Sequence, residues 1–101
     1  MAVLVMRAMP ENNPSRREIT ERIRELIGVT MASTAPVLPD EITEDSAFEK
    51  PPLCMDSLDF AQLMVGIEDA FGLSICDSDF LRLVFVRDAV ELVCERMSRP
   101  L

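Results

Sequence analysis

Residues 51–75, PPLCMDSLDFAQLMVGIEDAFGLSI, pass from a proline-rich segment into a helical repeat within a few positions. Leu58, Ala61, Leu63, Met64, Ile67 and Phe71 form a broad apolar stripe, which predicts a helix from Asp56 or Ser57 to about Phe71. Asp59, Gln62, Glu68 and Asp69 are left to the solvent side. Gly72 stands where a helix ends with a residue of positive φ. Ser57 therefore sits where a loop becomes a helix, a place where Ser or Asp ordinarily caps the first turn. The same position sets its hydroxyl before unpaired backbone N–H groups at the positive end of the helix dipole. That suits a negatively charged group on its oxygen, although Asp56 and Asp59 partly oppose it.

Working outward, NPSRREITERIRELIGVT reads as an amphipathic helix. Ser15 with Glu18 three residues on is a capping-box signature, and Ile19, Ile23, Leu26 and Ile27 share one face. Arg17 with Glu21, and Glu18 with Arg22, are spaced to pair along the exposed side. The segment MASTAPVLPDEITEDSAFEKPPLC holds four prolines and scattered small and acidic residues, so a long loop is expected. Loops of this length are commonly functional or tied down by a few anchors, and Ile42, Phe48 and Leu53 are the candidates. After Gly72, Asp77-Ser78-Asp79 offers a cap for a short helical turn through Leu83, with Phe80 and Leu83 pointing inward. Val86, Val90, Val93 and Met97 then repeat at helical spacing until Ser98, Arg99 and Pro100 stop the pattern. VLVM near the start and LVFV at 83–86 are the only strand signals, and both are weak.

The expected fold is therefore all-α: a small bundle of three longer helices and one short helix, with a long loop between the first and second helices. At 101 residues the chain is read as one domain over 15–98, preceded by an apolar leader over 1–14 and followed by a tail over 99–101. The leader is expected to be disordered, being too short to span a bilayer and lacking the pattern of a signal peptide.

Composition narrows the function. The chain has five Phe, no Trp, no Tyr and no His, so its core rests on aliphatic side chains and Met, and the usual general base and metal ligand are missing. A self-contained enzyme is not expected. Cys54, Cys76 and Cys94 are far apart and odd in number, which points to buried or half-buried thiols in a reducing cytoplasm rather than zinc ligands or a disulfide framework. The net charge is −8, and residues 40–81 carry eleven acids against Lys50 alone. Such a surface repels nucleic acid and anionic membranes and attracts basic protein surfaces, or simply keeps a small protein soluble. Asp77-Ser78-Asp79 lacks the remaining positions of a calcium loop, and the isolated glycines make no phosphate cradle. Without histidine, a nucleophilic Ser57 would have only Lys50 or a carboxylate as base, which its spacing does not support.

ITEDSAF (Ile42–Phe48), the L-C-M-DSLD run (Leu53–Asp59), IEDAFGLSI (Ile67–Ile75) and the closing short helix plus helix resemble, in order, the acyl carrier protein family. The correspondence runs from Ser15 to Met97. The resemblance implies that Ser57 receives 4′-phosphopantetheine from coenzyme A through a magnesium-dependent phosphopantetheinyl transferase, whose metal Asp56 helps position. It implies that acyl groups ride as thioesters on the arm, and that the chain carries rather than catalyses. Asp56, Leu58, Asp59, Glu68 and Asp69 match the family's docking face. Leu63, Val65, Ile67, Ile75, Phe80 and Leu83 fall where the family lines its core or its acyl cavity. Expected partners are the transferase, an acyl-loading ligase or acyltransferase, and a ketosynthase or other acyl-processing enzyme of fatty-acid or polyketide synthesis, acting on a cytoplasmic monomer.

The sequence departs from the family pattern at Cys54, usually glycine, at Cys76, usually proline, and at Gln62, usually Glu. Val84 and Phe85 stand where a Ser or Thr cap is usual. An aminoacyl or peptidyl carrier shares the serine chemistry, but Asp56 and the acidic second helix favour acyl cargo. An unmodified helical interaction module is the alternative of a different kind.

Overall fold

The structure, a computed structural model, describes residues 14–34 and 36–98. The leader, apart from Pro14, the VLVM strand signal and the tail lie outside them. Among the described residues four helices follow in order: α1 (Arg16–Met31), α2 (Ser57–Phe71), the short α3 (Asp77–Phe80) and α4 (Val86–Ser98). A single 3₁₀ turn (Pro39–Glu41) interrupts the long loop.

α1 starts as its sequence requires. The Glu18 N–H donates to Ser15 Oγ at 3.2 Å, and the Ser15 N–H donates to Glu18 Oε1 at 2.8 Å. Because Glu18 is engaged in the cap, the expected Glu18–Arg22 pair is replaced by Arg22–Glu25 at 3.2 Å, whereas Arg17–Glu21 forms as expected at 3.4 Å. Ile19, Ile23, Ile27 and Met31 are buried along one face, and both α2 and α4 pack against α1. α2 contributes Leu63, Met64 and Ile67 to the core, and α4 contributes Val86, Ala89, Val90, Leu92 and Val93.

The long loop belongs to this core. Ile42, Phe48 and Leu53, the expected anchors, are buried, as are Val37 and Met55. The loop is also stitched to the start of α4: Phe48 N–H donates to Val84 O at 3.0 Å, Val86 N–H to Ser46 O at 2.8 Å, and Arg87 N–H to Glu44 O at 2.9 Å. The strand signal at 83–86 thus amounts to one isolated antiparallel bridge between Ala47 and Phe85. Arg16 pairs with Glu44 at 2.6 Å and Arg87 pairs with Asp45, so both flanking helices grip the same acidic stretch.

The helix ends depart from expectation at two places. Cys76 is the N-cap residue of α3, the cap expected from Asp77-Ser78-Asp79 comes through the Asp79 carboxylate, and the helix stops at Phe80 before two hydrogen-bonded turns carry the chain on to Leu83. Asp79 is buried, and its carboxylate accepts from the Cys76 N–H at 3.0 Å while both oxygens meet Arg96 Nη2 at 2.8 Å. In place of a Ser or Thr cap on α4, Asp88 reaches back to the N–H groups of Val84 and Phe85 at 2.9 and 2.8 Å.

Candidate functional site

The approach to α2 is built by a tight turn. The Lys50 carbonyl accepts from the N–H groups of Leu53 and Cys54 at 3.0 and 2.9 Å, and the Met55 N–H donates to Phe48 O at 2.8 Å. Cys54 takes φ +44°, the left-handed region that glycine occupies without steric cost. Leu53 and Met55 turn inward on either side of it, so Cys54 is exposed. Cys76 is exposed too, and only Cys94 is half-buried as the sequence suggested for all three.

Asp56, in extended conformation, is the N-cap of α2. Its Oδ1 accepts from the Asp59 N–H at 2.8 Å, and Asp59 Oδ2 accepts from the Asp56 N–H at 3.2 Å. Ser57 is thereby relieved of capping. It is the first residue of the helix, it is exposed, and its Oγ makes no hydrogen bond with any described residue. The first backbone bond of the helix is Phe60 N–H to Asp56 O at 3.0 Å, so the N–H groups of Ser57 and Leu58 precede the ladder and stand at its positive end.

This capping box corrects one expectation. Asp59 is not on the solvent side: it is 7 % exposed, because its carboxylate folds back onto the Asp56 N–H. Glu68 is half-buried, with Oε2 accepting from the Ile75 N–H at 2.7 Å. Of the acids expected on the face of α2, Asp69 is exposed, and so is the N-cap Asp56. Leu58 and Val65 are 64 % and 55 % exposed, beside the exposed Ala61 and Gln62. Leu58 therefore leaves the predicted core stripe, and Val65 leaves the predicted core or cavity. The outer face of α2 is an apolar and neutral strip more than an acidic one.

Beside Ser57 lies a cavity of about 300 Å³ lined by Ala47, Phe48, Glu49, Lys50, Met55, Asp56, Ser57, Phe60, Phe80, Leu83 and Val84. Phe60 meets Phe48 edge-on at 5.3 Å and Phe80 edge-on at 5.7 Å, forming a ladder of rings along it. Of the six residues expected at core or cavity, Phe80 and Leu83 line this space. Leu63 and Ile67 are buried in the core, and Ile75 packs against it half-buried. Phe60, Met55 and Lys50 were missed because the loop and α3 bring their partners in from afar.

These features suit a group carrying an anion at Ser57 Oγ and an apolar load beyond it. The hydroxyl is exposed at the positive end of the helix, where two N–H groups precede the ladder, and the adjoining cavity has aromatic and aliphatic walls. No helix among the described residues is long and apolar enough to cross a membrane.

Comparison with known proteins agrees with this chemistry. The sequence model of a family described as "Phosphopantetheine attachment site" matches residues 17–93. The chain is also 32% identical over 83 residues to an acyl carrier protein of Rubrobacter xylanophilus, covering 82% of this chain and 96% of that one.

Proposed function

The chain belongs to the acyl carrier protein family, whose members bear covalent phosphopantetheine, and on that premise we propose that Ser57 is the attachment residue of a carrier serving fatty-acid or polyketide synthesis. The observation that carries this reading is the division of labour at the start of α2: Asp56 caps the helix, and Ser57 presents an exposed hydroxyl beside the cavity. When bound, the arm supplies a terminal thiol that holds acyl groups as thioesters. The residues of this chain do the rest. The N–H groups of Ser57 and Leu58 face the anion at the attachment point, Asp56 and Asp59 hold the turn rigid, and Phe48, Phe60 and Phe80 offer an apolar wall that excludes water.

In this reading the chain is not itself an enzyme: a phosphopantetheinyl transferase, a loading ligase or acyltransferase, and ketosynthase-type enzymes act on it in the cytoplasm. Docking falls to Asp56, Leu58 and Asp69, with Glu68 partly engaged and Asp59 assigned to the cap. Leu58, Ala61 and Val65 add an exposed apolar strip, so partners are expected to offer an apolar patch beside a smaller basic one. The test is loading: the holo protein should accept acyl groups from an acyl-CoA or fatty-acid ligase system. Loading by an aminoacyl-adenylate system alone would contradict the acyl assignment.

A further inference from the structure

Lys50 is the only lysine in the chain, and it is used differently from the arginines. Every ion pair among the described residues has an arginine as its cation, whereas the exposed Lys50 ammonium joins none. Its backbone is nevertheless fixed. The Lys50 N–H donates to Ala47 O at 3.3 Å, and its carbonyl closes the turn through Leu53 and Cys54. Lys50 is among the residues that line the same cavity as Ser57.

Charge gives this placement a purpose. The other ionisable groups lining the cavity are the carboxylates of Glu49 and Asp56, and Asp59 is hydrogen-bonded to Asp56. An anion on Ser57 Oγ meets the like charges of Glu49 and Asp56, and among the described residues Lys50 is the one cation on the cavity wall. A lysine suits this task because its ammonium is a compact point charge on a flexible stem, able to follow a phosphodiester oxygen.

We propose that Lys50 is a positioning residue for the arm, its ammonium pairing with the phosphodiester at Ser57 and turning the arm toward the Phe48–Phe60–Phe80 wall. The inference rests on Ser57 being the attachment residue. It asks nothing of partner enzymes, and it makes the turn from Lys50 to Cys54 part of the cofactor site.

Labelling with ¹³C,¹⁵N-lysine yields one side-chain ammonium signal, because the chain has one lysine. That signal is expected to move when apo protein is converted to holo protein. It should return toward the apo position as salt rises from about 0.01 M to about 1 M. The ³¹P resonance of the arm should move in the Lys50→Gln variant and be restored in Lys50→Arg. Lys50→Gln should also lower the Tm of the holo form by more than that of the apo form, whereas a merely structural role lowers both equally. Intact mass reports conversion independently. A mass increment at Ser57 with an unmoved lysine signal, or an unchanged ³¹P resonance in Lys50→Gln, overturns the role of Lys50 and leaves the carrier reading standing. No increment removes both.

Discussion

Asp56 and Asp59 exchange hydrogen bonds across the first turn of α2, at 2.8 and 3.2 Å, and enclose a serine that neither uses. This pair separates stability from chemistry at adjacent residues. Asp56→Ala should destabilise the fold by about 1 kcal/mol through loss of the cap, while Ser57→Ala should change it by less than about 0.5 kcal/mol. Urea denaturation of the apo variants measures both. A Ser57→Ala loss as large as that of Asp56→Ala would show that the serine is a structural cap after all.

Cys54 stands at φ +44° with an exposed side chain, so it carries backbone strain without a packing benefit. Cys54→Gly is expected to stabilise the protein by roughly 0.5–1 kcal/mol, and Cys54→Val to destabilise it, since a β-branched residue tolerates this region least. Chemical denaturation of the two variants gives the sign of each.

The Asp79 carboxyl is held down from its ordinary value of 3.8 to about 2, first by the Cys76 N–H and then by Arg96. A depressed carboxylate stabilises the fold fully above the unfolded-state value and loses that contribution as pH falls through about 2. Stability should therefore decline between about pH 4 and about pH 2. Arg96→Gln should shrink that decline without abolishing it, because the Cys76 N–H remains. At neutral pH the same substitution should cost roughly 1–3 kcal/mol, since it strips a buried carboxylate of its hydrogen-bonded cation and leaves it only the more distant Arg82, at 3.8 Å. A variant as stable as wild type at neutral pH would show that the pair contributes no net stability.

Phe48 is 2 % exposed, touches Phe60, and holds the loop to the turn before α4 through its N–H. Phe48→Ala should cost about 3 kcal/mol or more, an effect suited to a core residue and not to a free loop. Hydrogen exchange should then show lost protection at Phe48, Val86 and Arg87 together, because their amides form one seam.

What was legible in the sequence was local. The Ser15–Glu18 capping box, the stripe of Ile19, Ile23 and Ile27, the Gly72 terminator at φ +67° and the three loop anchors all depend on spacing within a few residues. The helix that begins at Ser57 and ends at Phe71 was legible for the same reason. Asp59 was not, since periodicity sends a carboxylate to solvent and takes no account of a backbone donor three residues earlier. Nor was the Asp79–Arg96 pair, whose partners are 17 positions apart. The cavity escaped as well, because its walls come from the loop, α2, α3 and the turn before α4, which only tertiary packing assembles.

The central claim is that Ser57 carries phosphopantetheine. Co-expression with a broad-specificity phosphopantetheinyl transferase, followed by intact mass and fragmentation of the peptide containing residue 57, tests it most directly. The account predicts one phosphopantetheine increment on wild type, located on Ser57, and none on Ser57→Ala. Wild-type protein that stays unmodified, or an increment that persists in Ser57→Ala, would contradict it.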